Sequence, residues 1–299
     1  MELRHLRYFV AVAEELSFTR AAERLMMSQP PLSTQIKDLE EELGVELFSR
    51  TKRAVSLTPA GVELYARAIV ILKEVERASD RVRRTAQGME GEIRLGFLTS
   101  TTGPILSAVM KEFRSNYPEV RIELWELTPA ELVKELTADR LDLIVARPDP
   151  ELNAAGMESR PFYQDPLVLT VQEEHPLSGR DSVELSELVG TRLVSLSDDR
   201  SGYFNSVLEQ ALRNHGHDFR DRLVVRSMTA MVWAISLGFG VGFLTEQTRD
   251  LSWKGVKYLS LADKSIEVET ILAWNPATAP PTVANFLELA ESMRNSFRP

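Results

Sequence analysis

Apolar positions in the first sixty residues recur at helical spacing and break at sharp punctuation. Leu6, Phe9, Val10 and Ala13 predict a first helix. Ser17 stands as N-cap of a second over Phe18 to Met26, with Ala21, Ala22 and Leu25 as its apolar face. A third opens at Ser28-Gln29-Pro30-Pro31, since first-turn N–H groups lack helical partners and tolerate proline. Its apolar stripe is Leu32, Ile36, Leu39 and Leu43, and Gly44 stops it. Ser49 to Leu57 is a short basic stretch without an acid and predicts a hairpin.

Thr58 caps a long helix, with Pro59 at its first position. Gly61, Tyr65, Ala68, Leu72, Val75, Ser79, Val82 and Ala86 then alternate steps of four and three, a heptad seam. The helix is expected to end near Gln87-Gly88, about 30 residues or roughly 45 Å. Two readings fit the seam: a helix packed on its own chain, or one pairing with a second copy.

Beyond Gly88 to Gly91 strands alternate with helices, which predicts a parallel, doubly wound sheet. Strands are expected at Ile93 to Phe97, Val120 to Leu127, Leu141 to Ala146, Leu167 to Val171, Arg192 to Ser197, Leu223 to Arg226, Val241 to Leu244 and Ile266 to Trp274. Helices are expected from Ile105, from the capping box Thr128-Pro129-Ala130-Glu131, over Asn205 to His215, Thr229 to Leu237 and Val283 to Asn295. The order suits two α/β lobes joined by two crossings.

Composition narrows this picture. No run approaches the ~20 apolar residues of a spanning helix. Met1-Glu2-Leu3-Arg4-His5 has no apolar signal core, so a cytoplasmic location and no membrane partner are expected. The chain has no cysteine, which excludes disulfides, thiolate metal sites and cysteine nucleophiles. Net charge is −9, but it is uneven: residues 1–88 balance at +1 and residues 89–299 at −10. A nucleic-acid partner is therefore tenable only for the N-terminal part, and only with its positive charge clustered.

That part has such a cluster. On the third helix Gln29, Ser33 and Lys37, spaced by four, point away from the apolar stripe, with Pro30 and Thr34 beside them. Short polar side chains near a helix N-terminus reach base edges in a major groove. Arg50, Lys52 and Arg53 would neutralise phosphates or enter the adjacent minor groove. Three helices and a basic ribbon suggest a winged helix-turn-helix, although a helical domain with a solvated polar face fits the same pattern.

The segments Phe18 to Leu25, Ser28 to Ile36, Leu39 to Gly44, Leu47 to Arg50 and Leu57 to Gly61 keep the order and spacing of the N-terminal signature of LysR-type transcriptional regulators. The chain resembles that family, with Thr34 standing where many members carry a longer side chain. The resemblance implies a winged helix-turn-helix over 1–58 and a dimer-forming linker helix over 59–88. It also implies a two-lobed, periplasmic-binding-protein-like regulatory domain over 91–299. Lobe I would take about 91–162 and 266–299, and lobe II about 163–265. Partners implied are double-stranded promoter DNA, a small-molecule effector and further copies of the chain, as a tetramer built from two dimers. Met1 to Glu15 look especially close to regulators of aromatic-compound catabolism, which points to an aromatic or unsaturated carboxylate as effector.

Ligands in open parallel sheets bind beyond the C-terminal strand ends. Ser100, Thr101 and Thr102 follow the first strand of the regulatory part, Thr128 the second and Arg147 the third. Hydroxyls at helix starts make anion sites, and an arginine grips a carboxylate bidentately. Thr128 serves equally well as a mere cap, and Arg147 as a solvated loop residue. Tyr203 and Phe204 would wall the cleft or fill the core; Met228 and Thr229 open a helix expected to face it. From the resemblance, Ser100, Thr101, Thr128, Arg147, Phe204 and Thr229 are the expected effector contacts.

Other chemistry is weakly represented. Gly238-Phe239-Gly240-Val241-Gly242 follows a helix and enters a strand, the reverse of a dinucleotide fingerprint. His215-Gly216-His217-Asp218 lacks further metal ligands nearby. No nucleophile elbow and no His-Glu-x-x-His occurs. Neither cofactor nor metal is expected. Two rival classes are a small-molecule-binding protein without a DNA role and an enzyme using the cleft. The seam and basic ribbon argue against the first, and the missing activated nucleophile or base against the second.

Overall fold

The structure, a computed structural model, describes residues 1–50, 54–216, 222–263 and 266–294. The chain divides into two compact units, Met1–Arg84 and Thr85–Pro299.

In the first unit α1 (Leu3–Glu15), α2 (Phe18–Arg24) and α3 (Gln29–Leu43) enclose Leu6, Phe9, Val12, Ala21, Leu32, Ile36 and Leu39. The caps act as the sequence predicts. Ser17 Oγ accepts a hydrogen bond from the Arg20 N–H, and Gly44 ends α3 at φ 69°, a conformation L side chains avoid. Helix α2 ends at Arg24, two residues short of the expected Met26, because Met26 itself turns to φ 52°. Strands β1 (Phe48–Arg50) and β2 (Val55–Leu57) pair antiparallel with Phe48 opposite Leu57. They form the expected ribbon; Lys52 and Arg53 lie outside the described residues.

Helix α4 spans Pro59–Ala86, and its cap Thr58 accepts from the Gly61 N–H at 3.0 Å. Its seam divides in two. Gly61 and Ala68 are buried, with Tyr65 and Leu72 packed on the core of the same unit. A Cβ at Gly61 would sit 2.1 Å from the Leu47 carbonyl, so only glycine permits that approach. Past half-buried Val75, the seam residues Ser79, Val82 and Ala86 are exposed. The own-chain reading thus accounts for the first half of the seam only.

The second unit carries β3 (Glu90–Phe97), α5 (Pro104–Asn116), β4 (Glu119–Glu126), α6 (Pro129–Thr137), β5 (Leu143–Ala146), α7 (Pro150–Ala154) and the long β6 (Glu158–Gln172). After β7 (Ser182–Val183) come β8 (Leu193–Leu196), α8 (Asp198–Arg213), β9 (Arg222–Val225), α9 (Met228–Ser236), β10 (Val241–Thr245), β11 (Val256–Leu261), β12 (Glu267–Trp274) and α10 (Pro281–Arg294). Among the described residues the main strand order is β4-β3-β5-β12-β6-β10-β8-β9, with β11 also on β6.

The sheet is mixed, not wholly parallel as the alternation predicts. β3 pairs in parallel with β4 and β5, and β8 with β9 and β10. β6 and β12 run antiparallel to their neighbours because they carry the chain between lobes. Residues 158–166 of β6 pair with β12, while Leu167 to Gln172 pair with β10 and β11. Only the apolar second half of β6 is legible in the sequence. Pro161, Pro166, Gln164 and Asp165 disguise the first, since proline and lone acids argue against a central strand. Each lobe has its own apolar centre, one around Phe113, Leu143 and Phe286, the other around Leu169, Phe243 and Val268.

Candidate DNA-reading helix and interlobe cavity

On α3 the buried stripe Leu32, Ile36 and Leu39 leaves Gln29, Pro30, Thr34 and Lys37 exposed and Ser33 half-buried. Thr34 Oγ1 donates to the Pro30 carbonyl at 3.2 Å. Lys37 meets Glu41 at 3.3 Å, an exposed pair that water screens. The five residues therefore share one accessible face near the helix N-terminus.

Arg50 is held more firmly than its place in a ribbon suggests. Its Nη2 donates to Glu40 Oε2 at 2.7 Å, and its guanidinium lies 4.7 Å from the centre of the Phe18 ring. Glu40 also accepts from the Leu47 and Phe48 N–H groups. One carboxylate thus pins the ribbon to α3 and already neutralises part of Arg50.

In the second unit a cavity of about 430 Å³ opens between the lobes. Ser100, Thr128, Arg147, Phe204 and Thr229 all line it. Thr101 does not: it is fully buried, and its hydroxyl donates to the Leu98 carbonyl at 2.8 Å. The tight turn Thr99–Thr101 directs Thr99 and Ser100 to the cavity and Thr101 to the core, which corrects the expectation for Thr101. Phe204 and Tyr203 serve both roles weighed for them, lining the cavity and packing on the lobe II core.

Thr128 is a cap as well as a wall residue. Its N–H and hydroxyl both donate to Glu131 Oε2, at 2.9 and 2.7 Å. Those bonds, with Arg200 nearby, hold the Glu131 carboxyl below its ordinary range. Thr99 likewise donates its hydroxyl to Glu126.

Arg147 is not the solvated loop residue that one reading allowed, for it is 7% exposed. Nη1 donates to Thr270 Oγ1 at 2.5 Å and to the Glu269 carbonyl at 3.3 Å. Nη2 stands 3.7 Å from Asp165 Oδ2, close enough for an ion pair and too far for a hydrogen bond. Both atoms lack hydrogen-bond partners. Burial lowers the Arg147 pKa. Burial also pushes Asp165 up to about 6, outweighing Arg147, Thr245 and the Gln247 N–H, which pull it down.

Sequence reasoning missed three residues here. Asp165 gave no signal, because the strand that holds it is not legible in the sequence; its partner is the cavity arginine. Ser195, at the end of β8, is 3% exposed, lines the cavity and has no partner for its hydroxyl. Arg200 precedes a kink at Ser201 (φ −155°, ψ 34°) that breaks α8, so the helical run beginning at Gly202 abuts the cavity. Among the described residues no cluster of three or more His, Cys, Asp or Glu is placed to hold a metal, and no helix is long and apolar enough to cross a membrane.

Residues 3–62 match the bacterial regulatory helix-turn-helix proteins of the lysR family, and residues 86–294 match the LysR substrate binding domain. The chain is 32% identical over 292 residues to the transcriptional regulator AlsR of Bacillus subtilis, covering 97% of this chain and 95% of that protein. It is 32% identical over 265 residues to BenM of Acinetobacter baylyi, covering 88% and 86%. The full-length crystal structure of CbnR complexed with its target DNA superposes with a TM-score of 0.82 at 26% identity, covering 98% of this chain and all of that one. With both halves matched in order, the chain belongs to the LysR-type transcriptional regulators, a non-enzyme family, and is a DNA-binding regulator with an effector-binding domain.

Proposed function

We propose that residues 1–58 read an operator in duplex DNA, that 59–88 dimerise the chain, and that the domain over 91–299 binds a small organic acid between its lobes. Gln29, Pro30, Ser33, Thr34 and Lys37 face the bases, and Arg50, Lys52 and Arg53 serve the phosphates. The exposed second half of the α4 seam, with Val82 70% exposed, supports pairing with a second copy. The family resemblance supports a tetramer, and a regulator of promoter DNA works in the cytoplasm.

One observation carries the effector reading. Arg147 Nη2 and Ser195 Oγ are buried donors without hydrogen-bond partners, and both residues line one cavity. Buried donors are almost always satisfied, so an acceptor-bearing ligand is the missing partner. A carboxylate head meets that need, with Ser100 adding a hydroxyl and Phe204 and Thr229 closing the lobe II side. Binding would act by shifting lobe closure or subunit packing between arrangements with different DNA geometry.

The test runs in two steps on the full chain. In vitro selection from genomic fragments, with random-sequence competitor, is expected to enrich a short set of promoter segments. A thermal-shift screen of small carboxylates, aromatic and unsaturated ones included, is expected to give ligands that alter the footprint on those segments. Turnover of a bound candidate, followed by mass, would instead favour an enzyme; ligand binding without DNA selection would favour a simple binding protein.

A further inference from the structure

The lining of the cavity is uneven in charge and in burial: Arg147 and Ser195 are buried, whereas Glu126 and Glu131 are exposed. Toward its floor lie the donors Arg147 Nη2 and Ser195 Oγ, and the Arg147 charge is balanced by Asp165. The lobe I wall presents Glu126, Glu131, Asp149 and Glu151 to the same space. Among the described residues, none of these four has a Lys or Arg nitrogen at ion-pair distance. Glu126 and Glu131 accept from the neutral hydroxyls of Thr99 and Thr128, which leaves their charge intact. Asp149 caps α7 by accepting from the Glu151 N–H. Lobe II offsets them only in part: its Asp198 pairs with Arg222 and its Asp199 with Arg226, while the charge of Arg200 acts on Glu131.

The lining also includes the apolar and aromatic Leu98, Leu127, Val194, Tyr203, Phe204 and Met231. The cavity thus offers donors, apolar surface and acids together. A simple carboxylate satisfies the first two and is repelled by the third.

We propose that the effector is two-ended: a carboxylate or carbonyl head on the Arg147–Ser195 floor, an apolar body, and a protonated nitrogen facing Glu126 and Glu131. The inference rests on the effector reading above and adds the second charge. It assigns Glu126 and Glu131 a specificity role. The Thr128 hydroxyl and N–H hold the Glu131 carboxyl below its ordinary range. A ligand ammonium gains from both carboxylates, and a ligand carboxylate in the same place is refused by both.

The experiment is isothermal titration of the full chain with three matched series, each of about four to eight carbons: ω-amino acids, the fatty acids of equal length, and the α,ω-diacids. Some ω-amino acid is expected to bind at least ~10-fold more tightly than its fatty-acid counterpart, with the diacid weakest. In Glu126→Gln/Glu131→Gln that preference is expected to collapse and the diacid to gain affinity. Glutamine keeps the capping bond to Thr128, so the loss would report charge and not unfolding. Equal or tighter binding of the fatty acid or diacid overturns the two-ended ligand while leaving a carboxylate effector standing. A preference that survives the double substitution overturns the role of the two glutamates. Binding by none of the three series overturns the proposal, and failure of Arg147→Lys to affect any ligand from the carboxylate screen would separately overturn the effector reading itself.

Discussion

The face of α3 proposed to read DNA and the floor of the cavity hold polar groups under opposite conditions. On α3 the groups stand in water: Gln29, Thr34 and Lys37 are exposed, and Lys37 has only a screened partner in Glu41. In the floor the groups are dry: Arg147 and Asp165 are buried, paired, and each left with one unsatisfied atom. A wet group is worth what its ligand gives it, and its loss costs the fold little. A dry pair is worth most to its own partner, so changing one member acts first on stability and only then on binding. The two regions should therefore respond differently to substitution, pH and salt.

The sharpest contrast is Arg147→Ala. It strands Asp165 in the core, and breaking a buried pair this way costs about 3–5 kcal/mol. Urea unfolding of the effector-binding unit, followed in the full chain, is expected to show a loss of that size. Replacing both partners, as Arg147→Met with Asp165→Leu, is expected to restore most of it. A cost below ~1 kcal/mol for Arg147→Ala would mean that Asp165 is compensated by Thr245 and Gln247 and not by the arginine.

The second test uses pH. Asp165 titrates at about 6 in the fold against an ordinary 3.8. Between those values the folded state binds more protons than the unfolded one, so this group's contribution to stability falls as pH rises from 3.8 to 6 and is constant above. Each unit of the difference corresponds to about 1.4 kcal/mol. Asp165→Asn removes the slope, so the gap between its unfolding midpoint and that of the wild type is expected to change across pH 4–6. Parallel curves would show that Asp165 titrates normally and that its burial is not felt.

The same contrast decides what the sequence discloses. The face of α3 is legible because a helix of period 3.6 sorts five residues within nine positions by number alone, and Leu32, Ile36 and Leu39 mark the opposite side. The cavity gathers positions from Leu98 to Thr245, and no periodicity links them. Strand ends are legible, so Ser100, Thr128 and Arg147 could be placed; pairing is not, so Asp165 and the capping of Thr128 by Glu131 change what those residues do. Thr101 failed for a local reason. Which of three consecutive hydroxyls faces a ligand depends on a turn of one 3-10 helix, and the letters Thr-Ser-Thr are silent on it. The antiparallel crossing of β6 was hidden by the prolines and polar residues that a strand between two lobes tolerates.

The third test returns to α3. Ser33→Trp keeps the stripe Leu32–Ile36–Leu39 and so is expected to leave folding and oligomeric state unchanged while blocking the major groove. Loss of a specific base contact typically costs ~1–3 kcal/mol. Gel-shift titration against the selected promoter and a scrambled one should show the difference between them shrinking. Full discrimination in this variant would remove α3 as the reading element.

Ser195→Ala separates binding from stability at the floor. The hydroxyl is buried and unpartnered, so deleting it is expected to leave stability equal or slightly higher, because an unsatisfied group is removed. Effector affinity is expected to fall by about 0.5–1.5 kcal/mol, the worth of one neutral hydrogen bond. Thermal melts with and without the best carboxylate from the screen check both signs at once; a variant that loses stability but not affinity would make Ser195 a core residue.

The smallest effect is expected where a surface charge is already matched. A free lysine or arginine on a phosphate contributes about one unit to the slope of log affinity against log salt. Arg50 starts from a 2.7 Å bond to Glu40, so under the proposed role it would divide its charge between that carboxylate and DNA. Arg50→Ala is therefore expected to lower the salt slope by less than one unit, equally for specific and non-specific duplexes. Glu40→Gln frees the arginine while an amide oxygen still accepts from the Leu47 and Phe48 N–H groups. That variant is expected to raise the slope and to bind all duplexes more tightly at low salt. If Arg50→Ala instead altered sequence preference with the slope unchanged, the ribbon would be reading bases, and the division of labour between α3 and the ribbon would have to be reversed at this position.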